Sequence, residues 1–214
     1  MKKGCILCLL ISVISLPLIA QNIIYSNLKE LLTQHGDTTA VLRVEKRSRN
    51  QIVLTGGADY RITAGDDESM CRRLKQRCFA VRDEKGNLYL NCRKLRYKKL
   101  RFGAWYAPAV QLGKNIYFCA MPLGSVIGGN FVEEDDVKLG GNIGDALAAS
   151  SLVTKRVCYE LNGETGKVDF LGKDRMLQLL KNYPELKQAY LKDDSQEAKH
   201  TFKYLLELQN KQKK

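Results

Sequence analysis

The sequence predicts an α+β fold, an antiparallel meandering sheet with a few packed helices and a helical C-terminus. Three observations carry that expectation. Short runs rich in Val, Ile, Tyr and Phe recur between turn residues from position 38 to position 171. One amphipathic stretch, GDDESMCRRLKQRC, interrupts them. Beyond Leu171 the chain becomes Leu-rich and charged at helical spacing.

After the first 20 residues the opening element reads as a helix. Ser26 can cap it, Leu28, Leu31 and Leu32 form its apolar stripe, and Gly36 can end it. Three strands follow. TTAVLRVEK (38–46) alternates around Leu42 and Val44, QIVLT (51–55) is β-branched, and ADYRIT (58–63) sets Tyr60 and Ile62 on one face. Ser48-Arg-Asn50 and Gly56-Gly57 supply their turns.

The amphipathic stretch reads as a short helix with Asp66 or Asp67 as cap. Met70, Cys71, Leu74 and Cys78 share its inner face, and Arg72, Arg73, Lys75 and Arg77 face water. FAVR, DEKGN and LYLNC read as strand, turn and strand. GAWYAPAV and NIYFCAM read as two more strands around Leu112-Gly-Lys-Asn115.

From Gly124 to Gly144 the chain is glycine-rich, broken by Glu133-Glu-Asp-Asp136, and GDALAASSLV (144–153) has helix-forming character. RVCYEL, NGETGK and VDFL form a hairpin over 156–171. GKDRMLQLLKNY is a helix, Pro184 suits the first turn of another, and Ser195 can cap a last one bearing Phe202, Leu205, Leu206 and Leu208. The domain plan is therefore a leader over 1–20, an α+β core over 21–172, and C-terminal helices over 173–214 that pack on or trail the core.

The leader reads as a cleaved secretory signal peptide. Lys2 and Lys3 precede an apolar run from Cys5 to Leu16, and a small residue, Ala20, ends the segment. Cleavage is expected between Ala20 and Gln21. The apolar stretch falls short of the ~20 residues a spanning helix needs, and no later stretch is apolar enough to cross a membrane. The protein is expected in the periplasm, on the outer-membrane surface or outside the cell.

Charge is segregated. The chain carries +12, and loss of Lys2 and Lys3 leaves +10. Residues 40–110 hold 17 Lys and Arg against 7 Asp and Glu, so they account for all of that excess. Segregated charge shapes a field that a uniform surface does not. The densest stretch is NCRKLRYKKLRFGAWY (91–106), where six of the nine residues from Arg93 to Arg101 are cationic. Aromatic residues among cations are a nucleic-acid signature, but an exported protein instead meets phosphorylated lipopolysaccharide, anionic glycans and acidic surface proteins. The candidate contacts are Arg93, Lys94, Arg96, Lys98, Lys99 and Arg101, with Tyr97, Trp105 and Tyr106 as stacking or packing groups. Strand alternation puts Arg96 and Lys98 on one face, so the six cations do not all point one way. The plainer reading is a solvated strand and loop with its aromatics in the core.

The phrases GGADYRIT, LYLNCRKLRYKKLRFGAWYAP and YFCAMP, then YELNGETGKV before a Leu-rich helix, resemble a family of small exported, uncharacterised proteins of Bacteroidota-type bacteria. The resemblance spans nearly the whole chain after residue 20. It implies export and brings no fold, activity or site residue.

No catalytic or cofactor signature stands out. Cys71, Cys78, Cys92, Cys119 and Cys158 remain after the leader, an odd number, so at least one stays unpaired. Cys71 and Cys78 lie ~10.5 Å apart along a straight helix, too far to bond to each other. Cys92 and Cys119, on predicted strands, are the best candidate pair. The other reading is that most are small buried residues. Their spacings match no zinc finger. Glu133–Asp136 and Asp66–Glu68 lack calcium-loop spacing. LGGNIGDALAA (139–149) lacks the full dinucleotide fingerprint. No metal or cofactor is expected. His35 and His200 are the two histidines, and a thiol enzyme built on one of them has no surrounding signature.

The leading expectation is a non-enzymatic exported protein that binds anionic envelope or glycan partners through a basic surface in residues 40–110. An envelope-assembly protein, gripping a protein partner by its C-terminal helices or glycine-rich loop, is the alternative. A thiol-dependent enzyme comes last.

Overall fold

A computed structural model describes residues 21–39, 42–122, 125–127, 130–132, 155–193 and 198–213. The leader, the acidic run Glu133–Asp136, the stretch read as helical at 144–153 and the cap at Ser195 lie outside the described residues. The fold is mixed α+β, an antiparallel sheet with six helices among the described residues, including a C-terminal one.

The sheet is built by β1 (Asn22–Tyr25), β2 (Asp37–Thr39), β3 (Arg43–Lys46), β4 (Tyr60–Thr63), β5 (Ala80–Arg82), β6 (Leu88–Asn91), β9 (Tyr106–Leu112), β10 (Asn115–Ala120), β13 (Val157–Leu161) and β14 (Val168–Phe170). Its order is β14-β13-β10-β9-β6-β5-β1-β2, and β3–β4 joins through Tyr60 opposite Tyr106 on β9. Two small hairpins stand apart, β7 (Arg96–Tyr97) with β8 (Leu100–Arg101) and β11 (Ser125–Ile127) with β12 (Asn130–Val132).

Both faces of the sheet are covered, which is why β6 is buried at every position instead of alternating with water. Along the central strands alternate side chains go to opposite faces. Leu88, Leu90, Ala107, Ala109, Ile116 and Phe118 enter one core with Tyr25, Tyr159 and α1 (Leu28–Thr33). Phe102, Phe118 and Tyr159 form its centre, with ring centroids 4.8–5.5 Å apart. Each such pair stabilises by about 0.5–1.5 kcal/mol beyond its burial.

On the other face Val110, Leu112, Tyr117, Cys119 and Cys158 are covered by α4 (Lys173–Leu179), α5 (Pro184–Lys192) and α6 (Ala198–Gln212). Met176, Leu180, Leu186, Leu205 and Leu208 seal that contact, at roughly 1.5–3 kcal/mol for each buried side chain. Glu160 on β13 anchors α4. Its carboxylate accepts both Arg175 Nε and a terminal Arg175 nitrogen at 2.8 Å, and it also accepts Asn115 Nδ2 and Tyr117 Oη. The rest of this face, around Ile24, Val81 and Tyr89, is covered by Ile62 of β4 and by α3 (Glu68–Gln76).

Several local expectations are corrected. The first described element is β1, which precedes the helix, and Asn27 caps α1 in place of Ser26, its side chain accepting Glu30 N–H. QIVLT is not a strand but the body of α2 (Arg49–Thr55). Ser48 accepts Gln51 N–H while Gln51 Oε1 accepts Ser48 N–H, and that reciprocal cap outweighs the β preference of Ile52 and Val53. The pairing of Cys92 with Cys119 is wrong. Cys92 points into the core with Leu90 and Phe102, and Cys119 points to the opposite face beneath α6. TTAVLRVEK is not one strand: its start falls in β2, paired with β1, and its end in β3, paired with β4. Gln34, in left-handed backbone, ends α1 in place of Gly36. Asp67 caps α3 through Met70 N–H and Pro184 opens α5, as the sequence predicts.

Candidate functional site

The segment of dense charge crosses from one structural setting to another. Cys92–Lys94 forms a single 3₁₀ turn, and β7–β8 closes a tight hairpin with Lys98 and Lys99 at its tip. Leu95, Tyr97 and Phe102 drop into the first core. Arg93, Lys94, Arg96, Lys98, Lys99 and Arg101 are all exposed, and none makes an ion pair among the described residues. The segment is thus apolar inward and cationic outward. Arg96 sits directly opposite Arg101, a like-charge pairing that disfavours the hairpin. Lys98 takes φ +53°, which a two-residue turn normally gives to Asn or Gly. Tyr97 is a core residue, its ring 5.9 Å from Tyr159, with the Lys98 ammonium 5.6 Å above it.

The chain then turns sharply. Gly103 and Trp105 both have left-handed backbone, φ +81° and +77°. A tryptophan there is strained by roughly 1–2 kcal/mol, and its surroundings hold it in place. Ala58 N–H donates to Ala104 O and Cys92 N–H donates to Trp105 O, each at 2.9 Å. Gly57 passes so close that a Cβ would lie 2.4 Å from Ala104 O and 2.9 Å from the Trp105 ring. Buried Arg47 lies 4.9 Å from the ring centroid. Its guanidinium donates to the carbonyls of Gln51, Gly56 and Ala58 at 2.7–2.9 Å, bonds that the 56–58 turn cannot supply itself. Burial lowers its pKa, an effect opposed by the nearby Asp59 carboxylate.

This turn forms one wall of a cleft of about 390 Å³. The opposite wall is the outer face of β3–β4, where Arg43 lies across from Thr63 and Glu45 across from Arg61. The amphipathic helix α3 contributes Cys71 and Lys75. The floor is Asn91 and Tyr106. Asn91 Nδ2 donates to Leu74 O and Cys78 O, and Tyr106 Oη donates to Leu74 O at 2.7 Å, pinning the end of α3. Burial drives the Tyr106 phenol far above its usual range, so it stays a donor.

Four cations, Arg43, Arg61, Lys75 and Arg93, face a single carboxylate, Glu45, around this cleft. The Arg61 guanidinium lies 5.8 Å from the Trp105 ring. A second groove of about 430 Å³, lined by Gln76, Arg93, Lys94, Arg101, Gly103 and Ala104, shares Arg93 and Ala104 with the first. Together they make a concave cationic track. Arginine forks match carboxylate, sulfate and phosphate oxygens, and concave placement focuses the field on a bound anion. Cys71 is engaged by Ala64 N–H at 3.3 Å and by Gly65 O at 3.7 Å, and no histidine lines the cleft to activate it. No cluster of metal ligands occurs among the described residues.

Of the residues singled out from sequence, Arg93, Trp105 and Tyr106 meet in the cleft and Lys94 and Arg101 join the adjoining groove. Arg96, Lys98 and Lys99 line neither, and Tyr97 is core. Arg43, Arg61 and Lys75 were missed. The alternation Arg43-Val44-Glu45 and Arg61-Ile62-Thr63 marks Arg43 and Arg61 as outward-facing, helical spacing does the same for Lys75, and only the tertiary fold makes that face concave.

Residues 23–212 match the model of a family of unknown function, DUF6563. The chain belongs to that family. The match takes in both walls and the floor of the cleft, so the site lies wholly within the family's domain. No curated protein and no solved structure matches the chain.

Proposed function

We propose that this is an exported protein of a Bacteroidota-type envelope that binds an anionic saccharide, free or as part of lipopolysaccharide, without chemically altering it. The carrying observation is the cleft that four cations, one carboxylate and the strained Trp105 line together. Acidic groups of the saccharide pair with Arg43, Arg61, Lys75 and Arg93, and the indole offers a flat apolar contact. Export is supported by Lys2, Lys3, the apolar run Cys5–Leu16 and Ala20.

Trp105 is the sole tryptophan of the chain, so its emission reports on this cleft. The protein would be titrated with sulfated, uronic and neutral oligosaccharides and with lipopolysaccharide, at low and physiological salt. Emission should shift with the anionic ligands alone, and affinity should weaken with salt. Arg61→Glu with Arg93→Glu should cost about tenfold or more in affinity, since each charge-assisted bond contributes roughly 1.5–3 kcal/mol. Reversing Arg96, Lys98 and Lys99 to Glu should change it by less than about threefold, a long-range effect. No emission change with any anionic ligand, or equal losses in the two variants, would remove the cleft from consideration.

A second reading rests on Leu191 of α5 and Leu206 of α6, which are 47% and 41% exposed and offer an apolar contact for an envelope protein. Changing both to Lys should leave saccharide binding intact. Loss of a co-purifying envelope protein in that variant would favour this reading.

A further inference from the structure

We propose that Cys119 and Cys158 form the protein's disulfide under oxidising conditions, leaving Cys71, Cys78 and Cys92 as thiols. The register of the sheet carries the inference. Cys119 on β10 is directly opposite Cys158 on β13. Opposed residues in antiparallel strands have Cα atoms about 4.5–5.5 Å apart, inside the roughly 4.4–6.8 Å that a disulfide spans. Opposed residues also project to the same face. Here both sulfurs lie beneath α6, in contact at 2.7 Å, and their residues are 6% and 3% exposed.

The other described cysteines have other surroundings. Cys78 is directed to Ala80 O at 3.1 Å and Cys71 to the Ala64–Gly65 turn. Cys92 lies in the core on the opposite side of the sheet. Each is thereby held away from the opposed pair.

The chemistry needs a partner disulfide, RS–SR, such as oxidised glutathione or a thiol–disulfide oxidoreductase. The thiolate of one cysteine attacks a sulfur of RS–SR and expels RS⁻. The thiolate of the other then attacks the newly bonded cysteine sulfur and expels the second RS⁻. Two protein thiols and one RS–SR become one protein disulfide and two RSH, the two protons passing to the released thiolates. Burial holds the Cys119 thiol well above its usual pKa, and Ala198 O faces both sulfurs under the first turn of α6. Exchange is therefore slow in the finished fold and fast while α6 is undocked.

The linkage closes a loop between positions 39 apart in sequence, far enough for the constraint on the unfolded chain to be large. It would fasten β10 to β13 at the platform on which α4–α6 rest. The pairing follows from strand register and stands whether or not the cleft binds saccharide.

The wild-type protein would be denatured, refolded in a mixture of oxidised and reduced glutathione, alkylated without reduction and mapped by peptide mass spectrometry. One Cys119–Cys158 linked peptide and alkylated Cys71, Cys78 and Cys92 are expected. Dithiothreitol should lower the melting temperature by about 10 °C, and that dependence should vanish in the Cys119→Ala, Cys158→Ala double variant. Alkylation of both Cys119 and Cys158 after refolding, or a linkage of either to Cys71, Cys78 or Cys92, would overturn the proposal.

Discussion

The β7–β8 hairpin and the cleft carry the same kind of charge in opposite shapes. On the hairpin the cations diverge from a convex tip, with Arg96 opposing Arg101 and Lys98 in left-handed backbone. At the cleft Arg43, Arg61, Lys75 and Arg93 converge beside an indole that is itself in left-handed backbone. Both regions store local strain, and both are held by the interior behind them. Tyr97 and Phe102 tie down the hairpin, and Gly57, Arg47 and Asn91 tie down the cleft. The difference lies in what an anion would meet. A convex array presents charges one at a time through screening solvent, whereas a concave one presents several at once. Charge density alone therefore does not locate a binding site.

The comparison breaks most sharply at Gly57. Alanine there is strained at φ +82° and drives Cβ into the Ala104 carbonyl, which belongs to the backbone and cannot swing aside. Gly57→Ala should destabilise by about 3 kcal/mol or more, lower the melting temperature by roughly 6–12 °C and shift Trp105 emission. Gly103→Ala has nearly the same φ, but its nearest neighbour is 3.5 Å away, so it should cost only about 1 kcal/mol. Equal costs in thermal melts would mean that the 57–105 contact does not position Trp105.

Asn91 tests the floor. Asn91→Ala leaves the buried Cys78 carbonyl without its side-chain donor and releases the end of α3. A loss of roughly 2–3 kcal/mol is expected in denaturant unfolding, together with weaker anion binding as Lys75 moves with the helix. Unchanged binding in a destabilised Asn91→Ala protein would detach α3 from the site.

Much of this architecture was legible in the sequence, and the misses share a cause. Asp67, Pro184 and the Leu112–Asn115 turn act locally, so α3, α5 and the β9–β10 hairpin fall where spacing predicts. QIVLT was misread because its β-branched side chains outweighed the Ser48–Gln51 cap in the reading, although the cap was equally visible. The inward role of Tyr97 and outward role of Arg96 follow from alternation. The cleft itself depends on contacts across large sequence separations, such as Tyr106 with Leu74 and Ala58 with Ala104, which no local pattern encodes. The cysteine pairing failed for the same reason, since the β10–β13 register joins segments 39 positions apart.

Acid sensitivity tests the carboxylate that anchors the C-terminal helices. Arg175, bonded to both oxygens of Glu160, holds that carboxyl below its ordinary value, helped by Tyr117 and Asn115. A depressed folded pKa means that the contribution is complete above the unfolded value, about 4.3, and is lost as pH falls through the folded one. Thermal stability should thus drop below about pH 4.3, and Glu160→Gln should flatten that drop while lowering stability at neutral pH. A drop unchanged in Glu160→Gln would assign acid sensitivity to other carboxylates.

The smallest expected effect sharpens the comparison from the hairpin side. Lys98→Gly removes the Cβ that makes φ +53° unfavourable, and it also removes the ammonium above Tyr97, about 0.5 kcal/mol at an exposed site. Relief of roughly 1 kcal/mol exceeds that loss, so the variant should be stabilised by up to about 0.5 kcal/mol, or a degree or two in melting temperature. Trp105→Gly makes the same backbone change at the cleft. There the ring is wedged between Gly57 and Arg47, and its loss should outweigh the relief, leaving the protein less stable by about 2 kcal/mol. Opposite signs in the two melts would show that the hairpin tolerates its strain while the cleft uses the strained residue as packing. If Lys98→Gly were the more damaging change, the hairpin would be the better-constrained region and the first place to look for a ligand.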